Sequence, residues 1–126
     1  MKILVLLTAY LCVAYSKVFN DAKGLTKDYA IVLVSRAGCG HCKNLKYFDE
    51  ASEKNAKVDF VKLDSRGKNF DANIAALNLT KAPHLRATPM FYMLKREGGK
   101  LAALKDSVGT GNIGQKGLDT LLQSAK

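Results

Sequence analysis

Apolar residues fall along this chain in short clusters whose spacing alternates between strand-like runs and helical stripes. In residues 28–35, six of eight positions are apolar or aromatic and three are β-branched Ile or Val. That is the pattern of a buried strand. In residues 42–54, Leu45, Phe48, Ala51 and Tyr47 share one helical face, with Lys46, Asp49, Glu50 and Glu53 elsewhere. Residues 57–63 return to alternation, Val58, Phe60 and Lys62 against Asp59, Val61 and Leu63. Apolar groups on both faces suit a central strand. Phe70, Ile74 and Leu77 recur at helical spacing in residues 69–77. Pro83 and Pro89 bracket a loop, residues 90–95 form a third strong strand, and Gly98-Gly99 turns it into residues 100–105. Residues 109–117 read as loose and glycine-rich, and Leu118, Leu121 and Leu122 mark a closing helix. Residues 17–27 are polar with few anchors and predict a short helix or an irregular lead-in.

The predicted order is strand, helix, strand, helix, strand, strand, helix. Strands joined through a helix run parallel, and strands joined by a tight turn run antiparallel. The expected architecture is α/β, one mixed central sheet with helices on both faces. No repeat, low-complexity stretch or linker divides it.

Ahead of this pattern, residues 3–14 are mostly apolar behind Lys2, and Ala14 and Ser16 supply small residues at the −3 and −1 positions of a cleavage site. Residues 1–16 therefore read as a secretory signal, leaving residues 17–126 as one domain. The run is short for a transmembrane span. An uncleaved anchor and a buried N-terminal strand are the alternatives, the second opposed by the length of the run. No other segment is long and apolar enough for a bilayer, so no stable membrane association is expected after cleavage. The formal charge of +9 comes from scattered lysines and arginines with no block of five like charges. A solvated basic surface follows, and nucleic acid is not an expected partner.

Cleavage would also remove Cys12, leaving Cys39 and Cys42 as the only cysteines. A bridge between them closes too short a loop to hold a domain together, so the core must stabilise itself. Cys39-Gly40-His41-Cys42 at a strand-to-helix junction is suited instead to thiol–disulfide exchange. Cys39 is expected exposed at the helix N-terminus, where unpaired N–H groups and the helix dipole favour a thiolate. It is the expected attacking cysteine, and Cys42, one turn in, the buried resolving one. An inert bridge is the alternative. An imidazole at His41 would stabilise the Cys39 thiolate and make the pair a better oxidant; a solvent-facing histidine of little effect is the bland reading. Structural zinc wants four ligands, and His84 is distant in sequence, so neither metal nor another cofactor is expected. Asn78-Leu79-Thr80 is a glycosylation sequon.

With these elements in this order, the chain resembles the thioredoxin superfamily, and within it the catalytic domain of protein disulfide isomerases. Cys39-Gly40-His41-Cys42-Lys43 resembles the active-site sequence of those domains. Thr88-Pro89, leading into Met90-Phe91, resembles the family's cis-proline and the strand after it. Arg86 falls where the isomerases carry an arginine that assists the second cysteine. The resemblance covers residues 28–126. It implies a thioredoxin-like fold and a disulfide oxidoreductase or isomerase with Cys39 and Cys42 as its redox-active disulfide. His41 and Arg86 would assist, and Gly40, Thr88 and Pro89 would face the substrate. By the same resemblance, substrates are cysteine-containing proteins or peptides and the redox partner is glutathione or an oxidase. A monomer is expected, and the signal reading of residues 1–16 points to the endoplasmic reticulum lumen or the exterior, or to the periplasm in a bacterium. Isomerase pairs lie near about −180 mV against about −270 mV for thioredoxin, which favours oxidation and isomerisation.

The chain departs from the isomerase pattern at several positions. Gly38 stands where a tryptophan is usual, Leu33 where a buried Glu or Asp is usual, and Tyr47 where a proline kinks the active-site helix. Residues 79–85 form a longer segment, and the C-terminal Gln123-Ser124-Ala125-Lys126 is not a KDEL-type signal. The competing functions are a thioredoxin-like reductant and a redox-inactive peptide-binding or chaperone module.

Overall fold

A computed structural model describes residues 17–125; the signal reading of residues 1–16, with Cys12, lies outside them. The elements are β1 (Val18–Phe19), β2 (Tyr29–Ser35), a 3₁₀ turn (Gly40–Cys42), α1 (Lys46–Lys54), β3 (Val58–Asp64), α2 (Phe70–Ala76), β4 (Met90–Glu97), β5 (Lys100–Thr110) and α3 (Gly114–Leu122). Among the described residues, five strands form one sheet in the order β1-β3-β2-β4-β5. β2 runs parallel to β3 and antiparallel to β4, and β5 is antiparallel to β4. The sheet is mixed, as expected.

Strand alternation splits the core into two layers. Val32, Val34, Val61, Leu63, Tyr92 and Leu94 face α2, joined by Phe70, Ile74 and Leu77. Ile31, Leu33, Phe60, Phe91 and Met93 face α1 and α3, joined by Leu45, Phe48, Leu118 and Leu121. Residues 30–34 have no exposed surface, as their unbroken apolar run requires.

Four boundaries differ from the sequence reading. The lead-in contains an edge strand, β1, whose Val18 and Phe19 pair with Phe60 and Val61. It is too short for periodicity to register. The helix expected from Cys42 begins at Lys46, because Asn44 takes a φ of 58° and interrupts it. β5 continues to Thr110 through a register shift between Tyr92 and Leu94, so Gly109 belongs to a strand. α3 starts at Gly114 and absorbs Gly117. No helix among the described residues is long and apolar enough to cross a membrane.

Gly117 is there for space. A Cβ on it would meet the Ile113 Cβ at 2.6 Å. Gly→Ala inside a helix ordinarily gains about 1 kcal/mol. At this position the clash reverses the sign, and Gly117→Ala is expected to lose about 1–2 kcal/mol in urea unfolding.

Tyr92 is fully buried, and its hydroxyl donates to the Pro83 carbonyl at 2.5 Å, pinning the loop ahead of β4. Burial pushes this phenol up to about 12 from an ordinary 10.0. The fold thus favours the neutral form. Its stabilisation is fully present below pH 10 and is lost as pH rises towards about 12. The urea midpoint should fall across that window, and Tyr92→Phe should remove part of the fall.

Candidate active site

The C-terminal end of β2 delivers the chain into the cysteine motif. Gly38 has a φ of 78°, a left-handed conformation that favours glycine, so the turn is built for Gly rather than for a bulky residue. The Cys39 N–H then donates to the Arg36 carbonyl at 3.4 Å, and the Cys42 N–H to the Cys39 carbonyl at 3.2 Å. This 3₁₀ turn brings the two cysteines into a disulfide with Cα atoms 5.2 Å apart. Gly40 and His41 lie exposed at its tip.

Two expectations for the cysteines need correction. Cys39 is only 8% exposed, whereas Cys42 is half-buried. The turn folds Cys39 back until its Sγ lies 3.5 Å from the Thr88 carbonyl oxygen, and Cys42 packs beside the Leu33 and Phe48 cluster. Nor does Cys39 head an α-helix. It precedes a single 3₁₀ turn, and α1 starts several residues on, at Lys46. Helix-dipole support for a Cys39 thiolate is therefore weaker than the motif spacing suggests, because that effect falls off within a turn.

Across from the turn, the Thr88–Pro89 bond is cis, as the resemblance implied. Pro89 is buried and Thr88 half-buried. Arg86 is the residue the structure does not bring to the cysteines. Its guanidinium donates to the Ser65 carbonyl and to Asp71 Oδ1, both at 3.1 Å, and lies 5.3 Å from the centre of the Phe70 ring. Sequence order brings Arg86 close to the cis-proline, but its partners lie just past β3 and on α2, so assistance to Cys42 would require those contacts to be released. His84 sits in the same loop with a left-handed φ of 59°. Among the described residues, no group of three or more His, Cys, Asp or Glu side chains converges as a metal site.

Two features were missed. The first is Arg36, half-buried, whose Nε donates to Thr88 Oγ1 at 3.2 Å. It stood in the sequence beside the motif, but nothing in the spacing linked it to Thr88, a contact across |i−j| = 52. The second is a brace behind the motif. Asn112 Nδ2 donates to the Lys43 carbonyl at 2.7 Å, while the Tyr47 hydroxyl donates to Asn112 Oδ1 and accepts from the Gly114 N–H. Burial raises the Tyr47 phenol above its ordinary value, and the Gly114 bond acts against that. Tyr47 thus fixes α1 to the segment ahead of α3 where a proline was the family expectation.

Beneath the disulfide, Leu33 is fully buried. Among the described residues the buried carboxylate is Asp59, 3% exposed. It accepts from the Thr26 and Lys27 N–H groups at 2.9 Å and pairs in register with Ala30, at the far end of β2 from the motif. It is committed to anchoring the lead-in. Asn78 of the sequon is likewise committed, its Nδ2 donating to the Leu101 carbonyl at 2.7 Å.

Solved thioredoxins share this fold. Chloroplast thioredoxin f from spinach is 22% identical, with 92% of this chain and 93% of that chain covered at a TM-score of 0.62. This is the thioredoxin-like fold. A Nicotiana alata thioredoxin matches at 19% identity over 89% of this chain and 95% of its own, TM-score 0.60. Trichomonas vaginalis thioredoxin matches at 22% over 76% and 78%, TM-score 0.54. No family model matches the chain, and no curated protein does so. Identities of 19 and 22% carry the fold alone.

Proposed function

We propose that this chain is a thiol–disulfide oxidoreductase of the isomerase type, acting on cysteine-containing proteins in the secretory pathway. The observation that carries this reading is the Cys39–Cys42 disulfide set against the Thr88 carbonyl, at the strand end of a thioredoxin-like fold. The exchange balances without a cofactor. A substrate thiolate attacks Cys39 Sγ; the Cys39–Cys42 bond breaks, a mixed disulfide forms, and Cys42 leaves as a thiolate and takes a proton. A second substrate thiolate then attacks the substrate sulfur of that mixed disulfide and expels Cys39. The substrate has lost two electrons and two protons, and the pair has gained them. Glutathione disulfide or an oxidase is the proposed acceptor that regenerates it. In isomerisation the reduced pair attacks first, and Cys42 resolves any complex that stalls.

His41 in the motif favours the oxidising direction, since a cation beside the sulfur would stabilise the reduced, thiolate form. The deciding measurement is the reduction potential of the pair against glutathione. A value near about −180 mV supports the isomerase reading, and one near about −270 mV moves the protein to a reductant. Refolding of scrambled ribonuclease tests activity directly; a Cys39→Ala variant that retained all of it would indicate a chaperone instead. Residues 1–16 fused to a reporter should direct its secretion.

A further inference from the structure

We propose that Arg36 selects acidic substrates, binding a carboxylate that flanks the reacting cysteine; this rests on the exchange reading above. Arg36 is tied to the site twice. Its carbonyl accepts from the Cys39 N–H, and its Nε donates to Thr88 Oγ1, on the residue whose carbonyl touches Cys39 Sγ. One edge of the guanidinium is thereby fixed. Its two Nη groups have no hydrogen-bond or ion-pair partner among the described residues. They form the planar pair of donors that a carboxylate accepts in bidentate fashion.

Among the described residues no carboxylate forms an ion pair with Arg36. β2 and β3 end side by side, Ser35 paired with Asp64. Asp64 Oδ1 accepts from the Arg66 N–H in its own turn, and Asp71 is paired with Arg86. Lys43, directly after Cys42, is exposed, and only its carbonyl is engaged, by Asn112. A peptide laid across Cys39 therefore meets an oriented guanidinium, with Lys43 next to the motif. A Glu or Asp beside its cysteine completes the fork, and a Lys there meets like charge.

The test uses three peptides of one sequence, each with two cysteines, flanked by Glu, Ser or Lys, as substrates for the full oxidised protein at low salt. The Glu peptide should exceed the Lys peptide in kcat/KM on the order of tenfold, mainly through KM. The advantage should shrink at 0.5 M salt, where the Debye length falls to about 4 Å from about 30 Å in 0.01 M buffer. Arg36→Met should reduce the ratio towards one, and Arg36→Lys should restore part of it. Exchange on all three peptides with equal KM overturns the inference and leaves the proposed function standing. Exchange on none overturns both. The wild-type ratio and its salt dependence decide the matter even where Arg36→Met fails to fold.

Discussion

Replacing Cys39 by serine is expected to lower disulfide exchange by at least about 10³-fold, the scale on which removal of an attacking group acts. Replacing Cys42 by serine should instead preserve the first attack of the reduced protein on a substrate disulfide and stop the reaction there. The product would be a stable mixed disulfide through Cys39, visible as a mass shift that thiol reductant reverses. The asymmetry follows from what each sulfur touches. Cys39 Sγ faces the Thr88 carbonyl, on the loop where a bound peptide is proposed to lie. Cys42 packs against the apolar layer of Leu33, Leu45 and Phe48. The low exposure of Cys39 sharpens the test, because overall accessibility alone would favour Cys42. Should Cys39→Ser trap substrate through Cys42 while Cys42→Ser does not, the roles are reversed.

How much of this was legible beforehand depends on the range of the interactions. Residues 30–34 announced a central strand because burial on both faces demands an unbroken apolar run. The layer of Phe70, Ile74 and Leu77 was legible for the same reason, as a helical stripe. β1 was not, since two residues paired to a distant strand have no period of their own. The start of α1 was missed because a single left-handed residue, Asn44, decides it, and an asparagine tolerates that conformation without requiring it. At the site, the cysteine motif and Thr88-Pro89 were local signals. The burial of Cys39, the Arg36–Thr88 bond and the capture of Arg86 by Asp71 are tertiary contacts between segments far apart in sequence. No spacing rule encodes them.

Leu33→Glu is expected to speed the release of substrate from the mixed disulfide by about 10- to 100-fold, at or below the lower end of the 10²–10⁴-fold that a positioned proton acceptor contributes. Resolution requires Cys42 to lose a proton before it attacks Cys39. Cys42 packs against the layer that contains Leu33, and among the described residues Asp59 is the one buried carboxylate. Asp59 lies on β3 beside the other end of β2 and is occupied by two backbone N–H groups. A glutamate at position 33 would enter the fully buried layer beside Cys42, where desolvation raises a carboxyl towards neutrality and makes it a competent base. Its register partner on β3 is Lys62, half-buried, whose charge would offset part of that rise and favour the carboxylate form that accepts the proton. The substitution should still cost about 2–4 kcal/mol of stability, since an acid replaces packed leucine. Leu33→Gln separates the two effects, carrying a similar polar burden with no group that accepts the proton. Faster release in the glutamate variant alone assigns the slow step to proton removal from Cys42. An unchanged or slower rate in Leu33→Glu, measured on folded protein, would show that water already suffices for this step.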